Sequence, residues 1–296
     1  MQSVGRFAPS PSGPLHFGSL VAALGSYLQA RAQHGLWLVR MEDLDPPREM
    51  AGADKLILSA LEAYHLYWDE EVIYQSQRHH LYQDQLDNWL RSGQAYLCRC
   101  TRKQIKAAGG FYPGTCRNLA LTDSQQCSVR LKVDQPVYSF IDARHGEIMI
   151  PAQLAEEDFI IKRRDGLYAY NLAVVLDDIS QGVTEIVRGA DLIEPTGRQL
   201  SLYQILGANP PSYLHLPLAT DASGNKLSKQ NHAQPIDIKD PKPLLLEALQ
   251  FLGFQLPRDI EQGELDQILA WAVQNWHLQQ LPEQTSMTVR FSNGRL

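Results

Sequence analysis

The sequence predicts an α/β protein: a parallel sheet covered by helices, interrupted by an inserted subdomain and followed by a helical C-terminal segment. Three observations predict it. Apolar runs of strand length alternate with helical patterns over residues 4–91 and again over 170–218, which is the alternation of a parallel sheet whose connections are helices. Between them, "CSVRLKV", "VYSFIDARHGEIMI" and "FIIKRRDGLYAY" read as short strands joined by turns. Beyond Pro241 the pattern is helical at 242–252 and 263–275, and 282–296 shows no clear form. The expected division is 1–93 and 166–239 for the two halves of the sheet domain, 94–165 for the insertion and 240–296 for the helical segment.

Taken in order, Val4 belongs to a short entry strand that leads into "RFAPSPSGPLHFGSL" at 6–20. Three prolines and two glycines between a strand and a helix describe a stiff loop that ends at a helix N-terminus. Gly13 and Gly18 let backbone approach a ligand closely. The unpaired N–H groups and positive dipole end of such a helix suit a phosphate, and Ser12 and His16 add side-chain donors. The following helix is expected over 19–34, capped by Ser19 and stopped at Gly35. Leu36–Met41 reads as a buried parallel strand and runs into Glu42-Asp43-Leu44-Asp45. Ligands of open α/β sheets gather beyond the carboxyl ends of strands, so Glu42, nearest that end, is the candidate carboxylate; Asp43 and Asp45 are equally served by capping or loop roles. Helices are expected at 49–66, 79–91, 171–181 and 196–206, with strands at 184–188 and 213–218. The turns 144–147 and 164–166 read as hairpins.

Composition narrows the class. The 296 residues are 44% hydrophobic and 20% charged, ordinary for a globular chain long enough for one large domain or two smaller ones. The net charge of −6 gives no global attraction to nucleic acid. RNA contacts would need local basic faces, and two are available: five basic and no acidic residues from Cys98 to Arg117, and Lys162-Arg163-Arg164. No membrane span or signal peptide is evident, so a cytoplasmic location is expected. Cys98, Cys100, Cys116 and Cys127 fall within 30 residues. In a reducing compartment such clustering suits a structural zinc site, with Cys127 the fourth candidate by spacing, or else plain buried thiols.

A second loop, Gly224-Asn225-Lys226-Leu227-Ser228-Lys229-Gln230, changes the weight of the first. His16-Phe17-Gly18-Ser19 and Lys226-Leu227-Ser228-Lys229-Gln230 resemble the "HIGH" and "KMSKS" signature pair of class I aminoacyl-tRNA synthetases. "RFAPSPSGPLHFGSL", "RMEDLDPPR" at 40–48 and "YNLAVVLDDISQGVTEIVRGADLI" at 170–193 resemble its glutamyl branch. Four blocks in family order cover roughly residues 4–240. The resemblance implies a Rossmann-like nucleotide-binding catalytic domain, with 94–165 inserted between its halves. It implies ATP, L-glutamate and a tRNA as partners, with Mg²⁺ accompanying ATP.

The same resemblance implies roles. His16 and Lys229 would act in catalysis, with His16, Gly18, Lys226 and Lys229 at ATP. Arg6, Ala8, Ser10, Glu42, Tyr170 and Arg188 would surround glutamate. The chemistry is consistent: arginine binds carboxylates with a bidentate fork, and an acid is needed for the α-ammonium group. Arg188 by itself would read as a surface salt bridge. At Val174 the chain departs from the family pattern, which has asparagine, so a side-chain hydrogen bond is absent there. Asp177 and Asp178 fit site, capping or loop roles.

A shortened glutamyl family, the glutamyl-queuosine tRNA(Asp) synthetases, carries a C-x-C…Y-x₃-C pattern. This points to Tyr112 beside Cys98, Cys100 and Cys116 as the fourth ligand of one zinc per chain. Because the chain stops at Leu296, an anticodon-binding domain is expected to be absent, and a monomer is expected. The favoured function is activation of glutamate and its transfer to queuosine in the anticodon stem-loop of tRNA-Asp. The rivals are a truncated glutamyl-tRNA synthetase core charging a tRNA 3′ end and a catalytically dead zinc-bearing RNA-binding protein.

Overall fold

A computed structural model describes residues 2–227 and 233–289 of the chain. The first half runs β1 (Val4–Phe7), α1 (Phe17–Ala32), β2 (Leu36–Met41), α2 (Ala53–Ala63), β3 (Ile73–Tyr74) and α3 (His79–Ser92). Next come β4 (Ala95–Cys98), α4 (Arg102–Ala107), β5 (Ser128–Leu131), β6 (Ser139–Asp142), β7 (Gly146–Met149), α5 (Ala152–Ala155) and β8 (Ile160–Lys162). The second half is α6 (Tyr170–Ser180), β9 (Glu185–Gly189), α7 (Ile193–Leu206), β10 (Ser212–Leu216) and β11 (Leu218–Thr220), and the chain ends in α8 (Lys242–Phe251), α9 (Arg258–Gln262), α10 (Leu265–Gln274) and β12 (Ser286–Thr288).

The α/β class expected from the alternation is the observed one. β1, β2 and β3 form a parallel group with β2 in the centre, and β9 and β10 are parallel neighbours in a second group ordered β7-β6-β10-β9. Val4 and Thr184 join the two groups: the Thr184 N–H donates to the Val4 carbonyl and the Val4 N–H to Thr184 Oγ1, both at 2.9 Å. The carboxyl ends of β1 and β2 on one side and of β9 and β10 on the other therefore face a common region. That is where ligands collect in such sheets.

Residues 94–165 contribute in two places. β4, β5 and β8 make a separate antiparallel sheet. The hairpin β6–β7, with its turn at 143–145, instead lies against β10, Tyr213 pairing with Asp142. The hairpin reading of 144–147 holds, while its attachment to the parallel strands comes from a long-range pairing.

Several element bounds differ from expectation. α1 begins at Phe17, and its cap is His16 rather than Ser19. The His16 imidazole Nδ1 accepts the Ser19 N–H, and Ser19 Oγ accepts the His16 N–H. This is a capping box in which serine takes the reciprocal position three residues inside. Residues 46–48 form a separate 3-10 turn before α2, α7 starts at Ile193, and 258–274 divides into α9 and α10. β12, in the segment of unclear form, pairs with β11.

The main core wraps α1, where Leu20, Leu24 and Leu28 are fully buried against strand residues Val39, Leu214 and Leu216 and against Leu245, Leu249 and Ile268 of the C-terminal helices. Gly25 lets the helix seat on β10, since a Cβ there would lie 2.4 Å from Leu216 Cδ1. The C-terminal helices are thus packed onto the sheet domain, a contact reinforced by the Trp276 indole donating to Gln29 at 2.6 Å.

Candidate active site

β1 and β2 each bring one arginine into the interior: Arg6, 3% exposed, and Arg40, fully buried. Such charges persist only when paired, and both converge on one carboxylate of α6. Arg6 Nε and Nη2 donate to the two oxygens of Asp178 at 3.0 and 3.3 Å, and Arg40 Nη2 donates to Asp178 Oδ1 at 2.8 Å. Burial would raise the Asp178 carboxyl, but Arg6 and Arg40 hold it below its ordinary range. The neighbouring Asp177 accepts from Gln75, Tyr82 and Arg78 at 2.6–2.7 Å. Asp177 and Asp178 are therefore neither caps nor loop residues. They anchor the arginine layer beneath the strand ends.

Glu42 leaves the end of β2, and its N–H donates to the Pro9 carbonyl at 3.0 Å, so the loop carrying Ala8 and Ser10 lies alongside it. The Glu42 carboxylate sits 3.7 Å from Arg40, and its buried Oε1 has no hydrogen-bond partner among the described residues. Burial pushes Glu42 up to about 7, against the pull of Arg40 and Arg6. Tyr170 opens α6 and is 39% exposed as a residue. Its hydroxyl is nevertheless raised by burial and by Glu42, against Arg188 and Arg6, which puts it within electrostatic reach of all three.

Arg188, on β9, is buried rather than a surface ion pair. Nε donates to His215 Nε2 at 3.2 Å, and Nη2 donates to Thr196 Oγ1 at 2.6 Å and to the Leu192 carbonyl at 3.2 Å. Nη1 is buried without a partner among the described residues. The site thus holds a Glu42 carboxylate oxygen that lies near Arg40 but makes no hydrogen bond, and an Arg188 guanidinium nitrogen without a hydrogen-bond partner, both pre-desolvated. Such groups invite a ligand carrying one cation and one anion. Val174 lies in the apolar core with Leu172, Leu202 and Tyr203, where it offers no polar group.

The first signature loop and the second meet at α1. Neutral His16, accepting at Nδ1, carries its proton on Nε2. A Cβ on Gly18 would lie 3.2 Å from the His16 ring, closer than ordinary contact, and 3.5 Å from the Leu227 carbonyl, so a side chain there would press on the His16 ring. The Leu227 N–H donates to Ala219 at 2.8 Å, and Lys226 pairs with Asp191, just beyond β9. Ser228, Lys229 and Gln230 lie outside the described residues.

Cys98, Cys100 and Cys116 bring their sulfurs within 4.8 Å of one another. The Cys100–Cys116 separation of 3.6 Å is close to the ~3.8 Å between thiolates about 2.3 Å from a tetrahedral zinc. Arg130 Nε approaches Cys98 Sγ at 3.3 Å and its guanidinium lies over the Tyr112 ring at 3.7 Å. Despite burial, the Cys100 N–H and Arg130 lower the Cys98 thiol, and burial with the neighbouring thiols pushes Cys100 up to about 11. The Tyr112 hydroxyl accepts the Cys116 N–H at 2.7 Å. Cys127 takes no part, its thiol donating to the Asp123 carbonyl at 3.3 Å. The three thiols could hold a metal ion.

Beside this cluster, Arg99, Arg102, Lys103 and Lys106 are exposed, and Arg164 reaches them by donating to the Arg99 carbonyl at 2.9 Å. No helix among the described residues is long and apolar enough to cross a membrane.

The residues whose importance was not evident from sequence are Arg40, Asp142 and His215. Each is a buried charged or titratable residue beside apolar residues in its strand, which is itself a signal, since buried polar groups need partners.

Residues 3–269 match the family of class I tRNA synthetases (E and Q), catalytic domain. The chain is 67% identical over 294 residues to a glutamyl-Q tRNA(Asp) synthetase of Vibrio vulnificus, covering 99% of this chain and 96% of the relative. It is 68% identical over 291 residues to that of Vibrio parahaemolyticus, covering 98% of each. A crystal structure of glutamate-tRNA synthetase from Elizabethkingia anophelis superposes with a TM-score of 0.79 at 23% identity, over 97% of this chain and 68% of that one, which supports the fold. With four signature blocks, a shared fold and this extent of identity, the chain belongs to the class I tRNA synthetases of the glutamyl and glutaminyl branch, in the family of the glutamyl-Q tRNA(Asp) synthetases.

Proposed function

We propose that the protein activates glutamate with ATP and transfers it to queuosine in the anticodon loop of tRNA-Asp. The amino-acid half of this reading rests on one observation: Glu42 Oε1 and Arg188 Nη1 are among the buried atoms that have no hydrogen-bond partner among the described residues. In this reading Arg188 takes the side-chain carboxylate of glutamate and Glu42, with Tyr170, takes the α-ammonium. Arg6, held by Asp178, sits between the loop of Ala8 and Ser10 and the acid layer, and adds positive potential for the carboxylates. An amino acid without a side-chain anion would leave Arg188 Nη1 buried without a hydrogen-bond partner, which disfavours it.

In the first step the α-carboxylate of glutamate attacks the α-phosphorus of ATP and pyrophosphate leaves. His16 Nε2–H and the N-terminus of α1 face charge developing on phosphate, and Gly18 lets that charge come close to backbone. Lys226 and Lys229 supply the second group of cations. Mg²⁺ bound with ATP would neutralise phosphate charge. In the second step a hydroxyl of the acceptor attacks the glutamyl carbonyl and AMP leaves. The diol of queuosine resembles the hydroxyl pair of a terminal ribose, so it suits the same transfer. The relatives named for glutamyl-Q tRNA(Asp) synthesis support this acceptor over a 3′ end.

Cys98, Cys100 and Cys116, with Tyr112 as the fourth ligand, would hold one structural zinc. A bound zinc would fix the antiparallel subdomain and the basic residues beside it, which we assign to the RNA stem. The divisions 1–93, 94–165, 166–239 and 240–296, a monomeric state and a cytoplasmic location belong to the same reading.

The test is to charge tRNA-Asp with radioactive glutamate, digest it with a nuclease and map the label. Label confined to the anticodon fragment and dependent on queuosine is expected. Label on the 3′-terminal fragment would favour a truncated glutamyl-tRNA synthetase core, and no glutamate-dependent pyrophosphate exchange would favour a dead RNA-binding protein.

A further inference from the structure

Asp142, His215 and Arg188 form a row across three neighbouring strands. β10 is parallel to both β6 and β9, with Tyr213 opposite Asp142 and His215 opposite Arg188. All three side chains are buried: His215 is 0% exposed, Asp142 1% and Arg188 5%. Asp142 Oδ1 accepts the N–H groups of Arg144 and His145, both at 2.9 Å. Its Oδ2 accepts the His215 N–H at 3.0 Å and lies 2.8 Å from His215 Nδ1. A carboxylate with this many donors stays ionised, so the His215 ring proton resides on Nδ1 and Nε2 is an acceptor.

That tautomer is the one Arg188 requires. Its Nε–H has His215 Nε2 as its acceptor at 3.2 Å, and a ring proton on Nε2 would set two donors head to head. Thr196 Oγ1 also approaches Nε2, at 3.4 Å, but donates its single proton to the Leu192 carbonyl at 2.8 Å. It is thereby left as an acceptor for Arg188 Nη2. The guanidinium is therefore fixed on two of its three nitrogens, leaving Nη1 as the only one without a partner among the described residues.

We infer that His215, oriented by Asp142, is a positioning residue that aims Nη1 of Arg188 at the side-chain carboxylate of the amino-acid substrate. The inference rests on the reading that the site binds glutamate through Arg188. Rotation of the guanidinium about Cδ–Nε would break the bond from Nε to His215 together with the two bonds of Nη2. The acceptor at Nε thus adds to what holds the fork, and placement to within about an ångström decides whether a fork engages a carboxylate. His215 touches no substrate in this role. It acts through Arg188, and Asp142 acts through His215.

The test is glutamate-dependent ATP–pyrophosphate exchange by the full chain, with KM for glutamate and for ATP measured separately. His215→Ala is expected to raise KM for glutamate by at least about tenfold while KM for ATP stays within about twofold. His215→Gln, whose amide oxygen can accept from Arg188, is expected to recover part of the loss. Asp142→Asn, which favours the other tautomer, is expected to raise KM for glutamate with melting temperature recorded alongside. In an Arg188→Gln background, His215→Ala should change kcat/KM for glutamate by less than about twofold, because its effect runs through the removed guanidinium. A folded His215→Ala with unchanged KM for glutamate would overturn the inference, as would an effect that persists in full without Arg188. Absence of glutamate-dependent exchange in the unaltered protein would remove the glutamate reading and this inference together.

Discussion

His215 and Arg188 are register partners on β10 and β9, with Arg188 Nε donating to His215 Nε2 at 3.2 Å. Paired residues of adjacent strands point to the same face, so the two side chains meet wherever the strands pair in this register. The same logic brings Arg6 and Arg40 together from β1 and β2, since Arg6 pairs with Leu38, two residues from Arg40 on the same face. Strand register thus sets the arginines of the site, and α6 brings the carboxylate of Asp178 to two of them.

Lys229→Ala is expected to lower glutamate-dependent pyrophosphate exchange by at least about tenfold, equivalent to roughly 1.4 kcal/mol of transition-state stabilisation. Circular dichroism of the variant establishes that it is folded. Near-normal exchange would remove Lys229 from the mechanism.

Removing Asp178 leaves Arg6 and Arg40 buried without their shared carboxylate. Breaking a buried pair by deleting one partner costs about 3–5 kcal/mol. Asp178→Ala is expected to lower unfolding stability by that order in urea titration. A loss below about 1 kcal/mol would mean that the arginines find other partners.

Glu42 gives the pocket a pH dependence with a defined sign. Its pKa is pushed up to about 7 by burial, against the pull of Arg40 and Arg6, with Asp178 and Asp177 adding to the rise and Tyr170 also facing it. A carboxyl raised on folding binds its proton more tightly in the native state than in the unfolded chain. Its contribution to stability therefore falls as pH rises from the ordinary carboxyl range toward 7. Binding an ammonium group requires the ionised form, so KM for glutamate is expected to fall as pH is raised from 6 to 8. Glu42→Gln should flatten that dependence and raise KM throughout. A wild-type profile flat over this range would show that Glu42 is already ionised in the free enzyme.

Protein purified without added zinc is expected to carry about one equivalent per chain by elemental analysis, held by Cys98, Cys100 and Cys116. Cys127→Ser should retain it, because that thiol is engaged with Asp123. Tyr112→Phe should weaken retention under chelator. Less than about a fifth of an equivalent in the unaltered protein would argue for plain buried thiols.

What depends on local pattern and residue type was legible in the chain of letters alone. The alternation of apolar runs and helical periodicity determined the α/β class, because both periods are set by neighbouring residues. The blocks around His16, Glu42, Tyr170 and Lys226 determined the family, and the spacing of Cys98, Cys100 and Cys116 marked three thiols that the fold does bring together. Tertiary structure decided what depends on distance between segments far apart in the chain. It placed the hairpin at 139–149 against β10, excluded Cys127 from the thiol cluster and made His16 the cap of α1. It also showed Arg188, which by itself would read as a surface salt bridge, to be buried against His215, and Asp178, one of two acids with several possible roles, to be the shared partner of two arginines. The physical reason is that charge pairing and desolvation are set by three-dimensional proximity. Asp178 is 172 residues from Arg6 in sequence and 3.0 Å from it in the fold.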